Sequence, residues 1–177
     1  MTKLKNLIQS LCPNGVEYKK IVEVVPVNRG SRLTKSQLSD YGKYDVYHGS
    51  KDTPLGKYDN YNTPGDTVIV VNTGGIGGVK YLKNPFWCSD GSFNIGHNDV
   101  LNNKFLFHYL SQYENYFLSQ KRVGGVPTID RSVIENIKIP LPPLEVQNEI
   151  VRILDKFGEL ERELERAKTK KKAIRIL

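Results

Sequence analysis

Cysteine is nearly missing: Cys12 and Cys88 are the two in 177 residues. Two thiols so far apart, with no C-x-x-C spacing, supply neither a zinc site nor a disulfide framework. They read as the reduced thiols of a cytoplasmic protein. No run approaches the roughly 20 apolar residues that a membrane helix needs. The opening MTKLKNLIQSL breaks its apolar residues with Lys3, Lys5, Asn6 and Gln9, so it lacks the apolar stretch of a signal peptide. These absences predict a soluble, cytoplasmic chain with no membrane partner.

Catalytic constellations are also missing. His48, His97 and His108 show no metal-ligand spacing, so no metal site is expected. His108 falls within an aromatic helical pattern and reads as packed. The stretch TGGIGGVKYLKNPFW, Thr73 to Trp87, has Gly74, Gly75, Gly77 and Gly78 in five positions. A phosphate-binding P-loop ends in Gly-Lys-Ser/Thr, whereas Gly78 is followed by Val79, Lys80 and Tyr81. The dinucleotide pattern G-x-G-x-x-G fails too, because its third position, counted from Gly75 and Gly77, is Lys80. Asn84-Pro85-Phe86-Trp87 resembles the Asn-Pro-Pro-aromatic tetrad of amino-methyltransferases but lacks the second proline. No catalytic residue and no bound cofactor are expected in this chain. The glycines read as the turn of a projecting hairpin, where they permit positive φ and close backbone approach.

What is present divides near Pro142-Pro143. Before it, short β-like runs alternate with Gly/Pro turns: YKKIVEVVPVNRG, YDVYHG, DTVIVVN, VKYL and SFNIG. One segment, NKFLFHYLSQYENYFLSQ, changes to helical period. The expected body, residues 1–142, is therefore α+β: helices with a twisted mixed or antiparallel sheet. After it, residues 143–177 read as one long helix. Ile150, Ile153, Phe157, Leu160, Leu164, Ala167, Lys171 and Ile174 alternate steps of three and four, a coiled-coil seam broken at Lys171. Glu159 with Arg162, and Glu163 with Arg166, can pair on its flanks. Gly158 lies off the seam and weakens the helix by about 1 kcal/mol.

The formal net charge is +7. Residues 145–177 hold nine basic and seven acidic side chains, so most of the excess lies on the body. That favours an acidic partner, most often nucleic acid. Five polar loops carry candidate DNA contacts. Arg29, Arg32 and Lys35 lie in the first, and His48, Ser50 and Lys51 in the second. Asn72, Thr73 and Lys80 flank the glycine turn. Ser89, Asp90 and Ser92 follow, then Lys121 and Arg122. Basic side chains hold phosphates, and Asn, Ser, His and Asp read base edges.

The order of these segments resembles one half of the specificity subunit of Type I restriction–modification enzymes. GKYDVYHG, DTVIV with GGIGGVKY, and FWCSDGSFNI carry part of the likeness. The most specific part is GGVPTIDRSVIENIKIPLPPLEVQNEIVRILDKF, similar to the close of a target recognition domain and its conserved helical region. The resemblance implies a non-catalytic subunit whose globular domain binds one part of a split site in double-stranded DNA. Its helix would dock the adenine methyltransferase (modification) subunit, which would hold S-adenosylmethionine, and a restriction subunit can join. Such subunits usually carry two recognition domains and two helical regions; one of each implies a half-length form. Two copies with antiparallel helices would make a homodimer reading an inverted, interrupted site. Two other readings stay open: a coiled-coil adaptor with no DNA role, and a compact DNA methyltransferase using Asn84 to Trp87.

Overall fold

The computed structural model of this protein describes residues 2–122 and 124–174, with side chains of the last helix described as far as Thr169. The chain runs α1 (Lys3–Leu11), β1 (Tyr18–Lys20), α2 (Ile21–Val24), β2 (Val27–Arg29), β3 (Tyr44–Tyr47) and β4 (Gly56–Tyr58). It continues β5 (Thr67–Val71), β6 (Val79–Leu82), β7 (Trp87–Cys88), β8 (Ser92–Ile95) and α3 (Asn103–Ser111). Last come α4 (Glu114–Ser119), α5 (Arg131–Glu135), β9 (Lys138–Pro140) and α6 (Leu144–Ile174).

The sequence expectation of an α+β body with a mixed or antiparallel sheet, followed by a long helix, holds. The central sheet has the order β2-β8-β5-β6, with every pair antiparallel. A smaller sheet, β4-β3-β7, pairs β3 with β7 in parallel, and β1 pairs with β9. The β-branched run of β5 explains the layering. Its five residues are all buried, and alternate side chains face opposite sides of the sheet. Val68 and Val70 join Phe105, Leu106, Leu110 and Phe117 of the helical layer. Ile69 points the other way, to Tyr47, Leu82, Phe86 and Cys88. Burial pushes the Cys88 thiol up to about 12, so it packs as a small apolar group.

Three local differences from the sequence pattern have physical causes, two of them local caps and one tertiary. The first apolar run is not one strand. Glu23 accepts the Lys20 N–H at 2.7 Å and closes the single turn of α2 between β1 and β2. The N-terminal segment forms α1, with Thr2 Oγ1 accepting from Lys5 N–H. The aromatic helix breaks at Gln112–Tyr113 into α3 and α4. The Glu114 carboxylate, at the start of α4, accepts both Val79 N–H at 2.9 Å and Lys51 at 2.7 Å. The glycine turn lies directly on α4: a Cβ at Gly77 (φ +85°) would stand 2.8 Å from the Glu114 carbonyl. The surface that the turn approaches is therefore the protein's own, and the hairpin does not project.

Helix α6 is anchored by the motif Leu-Pro-Pro-Leu-Glu-Val-Gln. Gln147 is fully buried; its Nε2 donates to Val100 and Pro142 carbonyls at 2.8 Å, and its Oε1 accepts Asn102 N–H at 2.9 Å. A buried amide with each of these contacts satisfied fixes the angle at which the helix leaves the body. Val146, Glu149 and Val151 are buried beside it, so the first turns of α6 pack as part of the body. The described ion pairs along α6 are Arg152–Glu149 and Lys168–Glu165, in place of the pairs expected at Glu159 and Glu163.

Glu149 joins α6 to α1. It is 3 % exposed and takes Arg152 at 2.7 Å and Lys3 at 3.0 Å. Hydrogen bonds from Arg152, then Lys3, hold its carboxyl down to about 2, against an ordinary 4.5. A depressed carboxylate stabilises the fold fully above its unfolded pKa and loses that contribution as pH falls through the folded one. Urea midpoints measured from pH 5 to pH 2 should therefore fall more steeply in the parent chain than in Glu149→Gln. Parallel pH profiles would remove the ion pair from the account of how α1 is held.

Candidate nucleic-acid interface

All five polar loops send residues to one place, the last of them from the segment after α4. Backbone hydrogen bonds stitch them together. The Gly91 carbonyl accepts both Asn72 N–H at 3.0 Å and Thr73 N–H at 3.4 Å. The Asn72 carbonyl accepts Ile129 N–H at 3.1 Å, and Thr73 Oγ1 donates to the Pro127 carbonyl at 3.2 Å. Arg122 N–H donates to the Thr128 carbonyl at 2.8 Å. The result is an open groove of about 830 Å³.

Seven of the fourteen sequence candidates line it: Arg29, Arg32, His48, Asn72, Thr73, Asp90 and Arg122. Arg29 Nε donates to the Asp90 carbonyl at 3.1 Å, which orients the guanidinium without neutralising it. Arg122 is ion-paired with Asp130. His48 Nδ1 lies 3.2 Å from Ser89 Oγ, 3.3 Å from Asp90 Oδ1 and 3.1 Å from the Gly91 N–H that donates to it. Asn72 is almost wholly buried in the groove floor, and its Oδ1 has no partner among the described residues.

The other seven stand elsewhere. Ser89 and Ser92 are buried, so their hydroxyls face the protein and cannot touch a duplex as free side chains. Ser89 instead supports His48 and Asp90. Lys51 is held by Glu114, and Lys80 lies over the Tyr47 ring at 4.7 Å; both line a different cleft, of about 490 Å³, between the body and α6. Ser50 is beside Lys51, facing the glycine turn and α4. Lys35, in a single 3₁₀ turn, and Lys121 are exposed outside the groove. His108 is packed as expected, with Nε2 3.0 Å from Asp155 Oδ1.

Sequence reasoning missed six groove residues: Phe93, Val126, Thr128, Ile129, Asp130 and Arg131. Val126 is 80 % exposed on the loop that Gly124 and Gly125 open, both at positive φ. Those paired glycines were the available signal for a wall-forming loop. With Arg131, four arginines and two aspartates line the groove, so its field is positive. Such a surface attracts a polyanion, and side chains on its floor and rims can meet base edges.

The seam of α6 has a second geometry. Ile150 packs against the body's core, because Gln147 pins that turn, and is removed from the expected seam. The free stripe starts at the half-buried Ile153 and continues through Phe157, Leu160, Leu164 and Ala167, all exposed. Ile174 has its side chain outside the described residues. Among the described residues no helix is long and apolar enough to cross a membrane, and no group of three or more acidic, His or Cys side chains could hold a metal.

Comparison with known proteins gives one consistent likeness. Residues 13–174 match the family described as the Type I restriction modification DNA specificity domain. A candidate type I restriction enzyme specificity subunit of Haemophilus influenzae is 30% identical over 165 residues, 90% of this chain and 41% of that protein. A type I restriction enzyme specificity subunit of Methanocaldococcus jannaschii is 43% identical over 63 residues, 36% of this chain and 15% of that protein. The crystal structure of the S subunit of a type I restriction–modification system from M. genitalium shares the fold. Its TM-score is 0.72 at 22% identity, covering 82% of this chain and 40% of that one. The chain spans about two fifths of the length of the first curated relatives it matches.

Proposed function

This chain belongs to the Type I restriction modification DNA specificity domain family, and from that premise we propose that it recognises one half of a bipartite DNA site for a modification enzyme. The observation that carries this reading is the convergence of the loop arginines on one open groove. Phosphates neutralised there release counterions and set affinity, while the fixed polar groups of the groove select sequence. Catalysis lies with the partner: the adenine methyltransferase subunit holds S-adenosylmethionine and docks along α6, and a restriction subunit can join the same complex.

The exposed stripe of α6 supports a second copy of this chain as the helix partner. An antiparallel pair would bury Phe157, Leu160 and Leu164 from both chains and place a groove at each end. The complex would then read an inverted, interrupted sequence. The test is selection of bound duplexes from a randomised pool by the chain purified with its methyltransferase. Two inverted half-sites at fixed spacing are expected. A single asymmetric half-site would reject the homodimer, and salt-insensitive failure to bind any duplex would reject DNA recognition altogether.

A further inference from the structure

The ring of His48 is held in the groove by the loop between β7 and β8, through Ser89, Asp90 and Gly91. It is 35 % exposed and flanked by Gly49 at positive φ. The Gly91 N–H donates to its Nδ1 at 3.1 Å. A backbone N–H can only donate, so Nδ1 contributes its lone pair inward and the ring proton resides on Nε2. Ser89 Oγ lies 3.2 Å from Nδ1 and donates to Asp90 Oδ1 at 3.2 Å, and the same carboxylate oxygen stands 3.3 Å from Nδ1. Nε2 has no partner among the described residues, and the ring lines the groove beside Arg29 and Asn72.

We propose that His48 is a specificity-determining residue: it donates from Nε2 to a hydrogen-bond acceptor on one base edge of the recognised half-site. This rests on the groove receiving duplex DNA. In the major groove the matching acceptors are purine N7, guanine O6 and thymine O4, and the exocyclic amines of cytosine and adenine are refused. A donor held in one tautomer selects against those amines; a freely switching imidazole would accept either. Gly91 is the positioning residue. A Cβ there would stand 2.7 Å from His48 Nδ1 and 2.9 Å from Gly49 N, so any side chain displaces the ring. Glycine at 91 therefore sets both the seat and the proton of His48.

The test compares duplexes selected from a randomised pool by the parent chain, His48→Ala and Gly91→Ala, each with its methyltransferase and each checked for an unchanged melting profile. Discrimination at one base pair should fall about five- to tenfold, the worth of one hydrogen bond, in both variants. The other positions and the salt dependence should stay unchanged. A second measurement alters the DNA. Replacing the selected base by an analogue without its acceptor (7-deazapurine for N7, 2-aminopurine for guanine O6, 5-methylpyrimidin-2-one for thymine O4) should weaken binding by the same factor, and His48→Ala should not feel that replacement. Loss spread evenly over all positions, or a preference untouched by the variants and the analogues, would overturn the proposal while leaving DNA recognition intact. A parent chain that selects no sequence would sink the recognition reading and this one together.

Discussion

A Leu160→Asp variant is expected to run at half the mass of the parent chain in a sedimentation experiment at micromolar concentration. Phe157, Leu160 and Leu164 are 60 %, 51 % and 56 % exposed, so the body gains nothing from them. Each would contribute about 1.5–3 kcal/mol when buried against a partner helix. A two-fold pair carries the substitution twice, placing two carboxylates in an apolar seam. An unpaired buried charge costs more than the lost leucine returns. The body's own melting temperature should not move, because the seam begins beyond the turns that Gln147 and Glu149 hold down. That separation makes the result interpretable: a folded monomer isolates the seam. Affinity for a two-part site should fall by roughly 10²- to 10⁴-fold as two linked grooves become independent ones. A variant of unchanged mass would show that the stripe serves some other surface.

The elements with a local code were legible in the residues. DTVIVV announces β5 through its β-branched run, and VKYL answers across the glycine turn as β6. The apolar period of α6 and the prolines that precede it mark its start and length. The Gln of Leu-Pro-Pro-Leu-Glu-Val-Gln carried the family likeness, and its three hydrogen bonds give the physical reason. What the residues do not encode one by one is which loops meet. The groove is assembled largely by backbone groups, Gly91 to Asn72 and Thr73, Asn72 to Ile129, and every residue type carries those groups. Charge alone therefore misled at Lys51 and Lys80. Both are basic and both flank polar turns, but a carboxylate of α4 and an aromatic ring of β3 hold them away from the groove. Ser89 and Ser92 failed for a related reason: Ser92 begins an inner strand and Ser89 folds under it, so polarity did not mean exposure.

Removing the groove's charge should weaken DNA binding more than any other change to the body. In Arg29→Ala/Arg32→Ala/Arg122→Ala, the slope of log affinity against log salt should become shallower by about 1 for each phosphate contact removed. Three lost contacts then separate the variant from the parent most at low salt and least at high salt, because counterion release is the source of the term. Arg29 and Arg122 also touch the protein, at the Asp90 carbonyl and at Asp130. Both contacts lie at the surface, so their loss should cost little stability. Substituting Lys5, Lys19 and Lys138, which lie on α1, β1 and β9 away from the groove, removes the same formal charge. If the net charge of +7 alone drew the duplex, the two triple variants would lose affinity and slope equally. If the groove holds the phosphates, the lysine variant keeps the parent's slope and the arginine variant does not. Equal behaviour would move the DNA surface off this groove.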